Sequence, residues 1–309
     1  MIKGYVKRGL AAAMLLLTLL LGACGGGDDG GSGGDADENK GDVTVGVSGA
    51  FAENQIVAEM YAQVLEDAGY NVERQLDIGA RDVSQAALES GEIDVVPEYL
   101  TSLLLFLQPD ATPSSDPADA ADAVRAALGD KELTLLDPSG ADDTNAIVVS
   151  KETAEDRDLE KVSDLAAIGG ELVFGGPPEC PERPLCLIGL KDTYGIEFKE
   201  FRALDVGGPL TVAALDGGEI DVGLLFSTSS VIKDRDFVVL EDDKNLQAAD
   251  HITPLVRNDV NNDEITELLN AVSETLTTEN ITELNAAVEL DKEEPADVAQ
   301  EFLEDEGLI

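Results

Sequence analysis

Few residues in this chain of 309 could carry covalent chemistry, since it holds one histidine, His251, and three cysteines, Cys24, Cys180 and Cys186. Zinc usually takes four Cys or His ligands, and an activated nucleophile needs an adjacent base. Neither a metal centre nor an acid-base pair is supported, no cofactor is expected, and His251 reads as a structural residue near a strand start. The residue types point to binding instead. Residues 86–99 read AALESGEIDVVPEY, residues 213–226 read AALDGGEIDVGLLF, and each phrase ends in an aromatic, Tyr99 or Phe226. The offset is constant, since 213 − 86 and 226 − 99 both give 127. Further upstream, Leu76-Asp77-Ile78-Gly79 is answered by Leu204-Asp205-Val206-Gly207 at an offset of 128, so the copies differ by one inserted residue.

Two related lobes must position those aromatics. From Val43 the chain alternates as a short strand, then carries Ile56, Val57, Met60, Tyr61, Val64 and Leu65 at helical spacing up to Gly69. A strand over 71–76, a helix carrying Val83, Ala86, Ala87 and Leu88, and a buried strand over 93–96 follow. The second half repeats the order in ELVFGG, PLCLIGLKDTYG, FKEFRAL, PLTVAAL and EIDVGLLF. Such alternation predicts an α/β fold whose parallel sheets are covered on both faces, with ligands gathering outside the C-terminal strand ends. Tyr99 and Phe226 then stand at equivalent rims, one on each side of a cleft. The alternative is that Gly-Glu-Ile-Asp only stops a helix and starts a strand, and that both aromatics are core. The strands from Asn145 and from His251 read as hinge-crossing strands, giving lobe 1 over 43–142 and 251–309 and lobe 2 over 143–250. The C-terminal helical stretches are expected to pack back on lobe 1.

The ends and the charge narrow the setting. Lys3, Lys7 and Arg8 precede an uncharged run from Leu10 to Leu21 that ends Leu21-Gly22-Ala23-Cys24, the pattern of a lipoprotein signal over residues 1–23 with Cys24 as the lipidated residue. Residues 24–42 are rich in Gly and Asp, with no apolar residue larger than Ala36 after Cys24 until Val43, and read as a flexible tether. That places the body outside the cytoplasmic membrane, anchored by its lipid. In an oxidising compartment Cys180 and Cys186, in ECPERPLC, read as a disulfide rather than two free thiols. The balance of 64 Asp and Glu against 20 Lys and Arg argues against nucleic acid as a partner.

The runs ENQIVAEMYAQVLEDAGY and ALESGEIDVVPEY, and the stretch from GGPPECPERPLCLIGL to GGEIDVGLLF, resemble the substrate-binding proteins of ABC transporters for osmoprotectants: glycine betaine, choline and carnitine. The similarity spans about residues 43 to 305. It implies a two-lobed type II periplasmic-binding-protein-like fold with two hinge crossings, and no enzymatic activity. It implies an aromatic cage for a quaternary ammonium, and delivery of the solute to a membrane permease driven by a cytoplasmic ATPase. A methylated ammonium offers no conventional hydrogen bond and is held by ring faces. Tyr99 and Phe226 are placed for that, with Phe51 as a third wall. A solute carboxylate would meet the helix starts at Glu53-Asn54-Gln55 or Ala80-Arg81-Asp82, with hydroxyls from Thr101 and Thr228, and Asn145 at the first crossing completes the set. With no Trp and five Tyr, and with Leu100 and Phe106 departing from the family's pattern, a cage partly of Phe is expected. A second reading keeps the fold and exchanges the solute for an amino acid or amine.

Overall fold

The computed structural model describes residues 40–47, 51–114 and 116–309. The signal segment 1–23, Cys24 and most of the tether lie outside the described residues. The first lobe runs through β1 (Asp42–Gly46), α1 (Ala52–Asp67), β2 (Asn71–Gln75), α2 (Arg81–Ser90), β3 (Val95–Tyr99), α3 (Leu100–Leu107), α4 (Pro117–Leu128) and β4 (Leu133–Leu135). The chain then crosses into β5 (Asn145–Val149), α5 (Lys151–Arg157), β6 (Val173–Gly176), α6 (Leu187–Tyr194), β7 (Glu200–Ala203), α7 (Pro209–Asp216), β8 (Val222–Phe226), α8 (Val231–Asp234) and β9 (Val238–Val239). It returns through β10 (Ile252–Arg257), α9 (Asp263–Thr275), α10 (Thr278–Ala286), a π turn over Ala287–Asp291 and α11 (Pro295–Glu306).

Two five-stranded sheets result, ordered β2-β1-β3-β10-β4 and β7-β6-β8-β5-β9. The orders are the same once β1, β2, β3, β10 and β4 are matched to β6, β7, β8, β5 and β9. Each sheet is parallel through its first three strands, and its fourth strand runs antiparallel. The alternating strands of each half are parallel as the pattern predicts, whereas a crossing strand arriving from the opposite lobe enters from the other end, so β10 and β5 reverse the direction. Each sheet is covered on both faces, with Tyr61 and Leu65 of α1 on one face of the first and Leu88, Leu103 and Val124 on the other. α9, α10 and α11 all pack against α1.

The repeated phrase has a mechanical reason. Asp94 N donates to the Thr44 carbonyl at 2.8 Å while Asp94 Oδ2 accepts from Thr44 N at 2.9 Å. In the second lobe Asp221 N donates to the Val173 carbonyl at 2.9 Å and Asp221 Oδ2 accepts from Val173 N at 2.8 Å. Each aspartate thus clamps the strand beside it. The preceding isoleucine fills the space a glycine leaves on that strand: a Cβ on Gly46 would stand 2.7 Å from Ile93 Cδ1, and one on Gly175 would stand 2.5 Å from Ile220 Cδ1. Gly91 and Gly218 make the turn before the clamp with φ of 79° and 64°, a conformation that favours glycine.

The two crossings run side by side. Asp142 and His251 form an antiparallel bridge, Asp143 N donates to the Asp250 carbonyl, and His251 Nδ1 donates to the Ser139 carbonyl at 3.1 Å. Cys180 and Cys186 are joined, their Cα atoms 5.3 Å apart, in the loop that leads into α6. No helix among the described residues is long and apolar enough to cross a membrane.

Candidate functional site

Strand register puts the two aromatics in equivalent places. Tyr99 ends β3 opposite Ile252, the first residue of β10, and Phe226 ends β8 opposite Asn145, the first residue of β5. Phe51, just ahead of α1, lies between them, its ring centroid 6.1 Å from that of Tyr99 and 4.9 Å from that of Phe226, at interplanar angles of 34° and 28°. The sequence reading made Phe51 a third wall beside a facing pair; in the structure it is the middle ring of the three. Phe106 is exposed on α3 and plays no part.

Beneath the rings lies a buried polar junction. Glu53, in the first turn of α1, accepts from the Tyr99 hydroxyl at 2.8 Å through Oε1 and from Asn285 Nδ2 of α10 at 3.1 Å through Oε2. Its Oε2 also stands 2.6 Å from Thr228 Oγ1, which is 3.0 Å from Asp143 Oδ1. Glu53, Thr228 and Asp143 are all under 5 % exposed. Burial pushes the Glu53 carboxyl above its ordinary range, opposed by the Thr228, Tyr99 and Asn285 hydrogen bonds. Asp143 is driven well above its ordinary range by burial and by the neighbouring Glu53.

Asp143 has a counterpart at the other crossing. Asp250 stands two residues before β10 as Asp143 stands two before β5, and each accepts the backbone N–H two residues beyond a strand-end aromatic. These are Thr101 N at 2.7 Å and Thr228 N at 3.3 Å. Asp250 also accepts from the Ser102 hydroxyl at 2.6 Å and so caps α3 from outside the helix. Burial raises its carboxyl to about 6, against the pull of Ser102 and Arg81.

A third group holds the arginines. Arg81 starts α2 and pairs with buried Glu98 of β3 at 2.9 Å. Burial works against the Arg81 charge, but Glu98 outweighs it and holds the guanidinium above its ordinary value. Arg183, in the loop closed by Cys180 and Cys186, has Glu179 at 3.8 Å; burial and the nearby Arg81 lower it below the usual guanidinium range. The two arginines approach each other from opposite lobes, with Asp250 and Glu98 close by.

The remaining candidates are committed to the frame. Asn54 is buried in the first turn of α1, and Gln55 Nε2 donates to the Leu76 carbonyl at 3.3 Å. The Thr101 hydroxyl donates to the Ala249 carbonyl at 2.8 Å, and Asn145 Nδ2 donates to the Leu185 carbonyl and to Gln247 Oε1. The structure therefore brings Phe51, Tyr99, Phe226 and Thr228 together and leaves Gln55, Thr101 and Asn145 tying elements at the margin. Sequence reasoning missed Asp143, Asp250, Asn285, Glu98 and Arg183, and took Glu53 only as part of a helix start. One signal was available: an aspartate two residues before each crossing strand, in a chain already known to repeat. A surface groove of about 740 Å³ between β2 and α2, lined by Leu76, Ile78 and Val83 among others, shares no residue with the ring trio.

Residues 41–305 match the family model described as the substrate binding domain of the ABC-type glycine betaine transport system. The chain belongs to this family. It is 30% identical over 276 residues to the glycine-betaine-binding protein of Pseudomonas aeruginosa, covering 84% of this chain and 86% of that one. It is 28% identical over 260 residues to the carnitine transport binding protein OpuCC of Listeria monocytogenes, covering 82% and 84%. Among solved structures, a glycine betaine/carnitine/choline ABC transporter structure superposes with a TM-score of 0.66 at 27% identity, covering 86% of this chain and 99% of that one. The chain is thus a substrate-binding domain of the glycine betaine, choline and carnitine class of ABC transport systems, with the two-lobed periplasmic-binding-protein-like fold. Domains of this kind work on the extracytoplasmic side, with a small-molecule substrate and a permease as partners.

Proposed function

We propose that this chain captures a small zwitterionic quaternary ammonium solute, of the glycine betaine or carnitine type, between its two lobes and hands it unchanged to its permease. The observation that carries the reading is the ring trio of Phe51, Tyr99 and Phe226, contributed by strand ends and a helix start of both lobes. Ring faces are the surface a methylated ammonium needs, each contributing about 0.5 to 2 kcal/mol. The carboxylate end has its own complement in Arg183, whose ion-pair partner Glu179 stands 3.8 Å away and which gains from an added anion. The names of the relatives agree with this class of solute. Tyr99 and Phe226 hold the ammonium with Phe51, while Arg81, Thr101, Asn54, Gln55 and Asn145 shape the surrounding wall. The lobes divide at the two crossings, residues 43–142 and 251–309 against 143–250. Cys24 carries the lipid that keeps the body at the membrane, after removal of residues 1–23.

Calorimetric titration with glycine betaine, carnitine, choline and proline tests the reading. Glycine betaine or carnitine should bind, and proline should not. Arg183→Gln should weaken the two carboxylate-bearing solutes while leaving choline unaffected. Binding of proline alone would transfer the protein to the second reading, that of another small polar solute. Mass spectrometry of membrane-extracted protein checks the anchor: an intact Met1 with unmodified Cys24 would refute it.

A further inference from the structure

We propose that the closed lobes hold one proton between Glu53 and Asp143, relayed through the Thr228 hydroxyl, so that capturing solute takes up a proton from solution. The inference rests on the proposed function only in that a solute drives the lobes together. Its first support is a count of hydrogens. Thr228 Oγ1 stands 2.6 Å from Glu53 Oε2 and 3.0 Å from Asp143 Oδ1, yet a hydroxyl carries a single proton. With both carboxyls ionised, one of these two contacts would set oxygen lone pairs against each other. The other donors are already spent: the Tyr99 hydroxyl goes to Glu53 Oε1, Asn285 Nδ2 to Glu53 Oε2, and the Ser227 hydroxyl and Thr228 N to Asp143 Oδ1. One added proton completes the chain, a carboxyl O–H donating to Thr228 Oγ1 and the Thr228 O–H donating to the other carboxylate.

The charges around the junction favour that proton. Facing it are Tyr99 from β3, Asp250 from the second crossing and Glu289 from the π turn, all neutral or acidic. The cations of this region, Arg81 and Arg183, lie against Glu98 and Asp250 instead. Glu53 belongs to the first lobe and Thr228 to the second. Opening therefore parts them, exposes Glu53 to water and returns it toward an ordinary carboxylate. Because the closed form has the raised proton affinity, its advantage is complete below the open-state value and is lost as pH rises through the closed-state one. Solute affinity falls with rising pH, by at most about tenfold per unit for one proton.

Calorimetric titration with glycine betaine, carnitine and choline in buffers of different ionisation enthalpy reads the protons directly. Wild type should take up a measurable fraction of a proton, at most one, at neutral pH. Glu53→Gln and Asp143→Asn each remove one of the two carboxyls that share the proton, and should bind with no uptake. Zero uptake by wild type between about pH 5.5 and 8.5, or full uptake retained by both variants, overturns the proposal. If none of the three solutes binds, the solute reading fails and the proton is sought directly in the closed form, where the lobes meet at Thr228. Infrared spectra should then show a protonated carboxylic acid at neutral pH that either substitution abolishes, and its absence from wild type overturns the proposal.

Discussion

At the scale of single residues, packing and protonation meet in the side chains under the rings. Phe226 touches the trio only through its ring, so Phe226→Ala should remove one face and its packing, weakening solute binding by about 1 to 3 kcal/mol, roughly ten- to a hundredfold. Calorimetry checks it, and an unchanged dissociation constant would remove Phe226 from the site. Asp250 makes a different prediction because its carboxyl is held at about 6 inside the fold. A carboxyl raised on folding stabilises fully below its unfolded value near 3.8, and the contribution fades as pH rises through 6, a swing on the order of 3 kcal/mol. Asp250→Asn, whose amide oxygen still accepts from Thr101 N and Ser102 N, should flatten the fall in stability between those pH values. Denaturant titrations at a series of pH values measure it; parallel wild-type and variant curves would refute the assignment.

At the scale of elements, the duplicated phrase shows how much the sequence could tell. Repetition at a fixed offset revealed two related lobes, the turn at Gly91 and Gly218, and the equivalence of Tyr99 and Phe226, because all of these sit inside the copied stretch. The reversed direction of β5 and β10 was not legible, since an apolar run has no direction until its partner strand is known. Nor were Asp143 and Asp250, two acids among 64 in a chain where acidic residues otherwise serve the surface. Phe51 is legible as an aromatic ahead of α1, but its place between the other rings depends on how far the lobes approach, which is a property of three dimensions. The function of the phrase itself is structural, and it is testable. Gly175→Ala would put a methyl 2.5 Å from Ile220 Cδ1 in the middle of the second sheet, so it should cost about 1 to 3 kcal/mol of stability. Gly195, which ends α6 with nothing within 4 Å of an added Cβ but with a φ of 72°, separates the two causes, being strained by backbone alone. Gly195→Ala should be the milder change, and Gly195→Asn, which tolerates that backbone, milder still.

At the scale of the whole molecule, the lobes are joined by two crossings and fastened by contacts that reach across. One fastening lies away from the rings. The π turn after α10, packed with the first lobe, presents Glu289 to the segment following β8 of the second. Glu289 Oε2 accepts from Ser230 N at 2.9 Å and from Ser230 Oγ at 2.6 Å, with the Ser229 hydroxyl within 3.3 Å of both carboxylate oxygens. A π turn widens the helix there and is a local departure that often accompanies function. These bonds exist only when the lobes meet, so they contribute to the closed form and to nothing in the open one. Glu289→Ala should therefore shift the solute-free protein toward open, enlarging its radius of gyration in small-angle scattering. Solute affinity should drop about tenfold, for a loss of about 1 to 2 kcal/mol of charge-assisted hydrogen bonding. The loss should lie in the dissociation rate, because an open protein admits solute as readily but releases it sooner. Glu289→Gln keeps the acceptor oxygen without its charge and should fall between wild type and alanine. If Glu289→Ala leaves both the scattering curve and the dissociation rate unchanged, the lobes are held by the rings and the Glu53 junction alone.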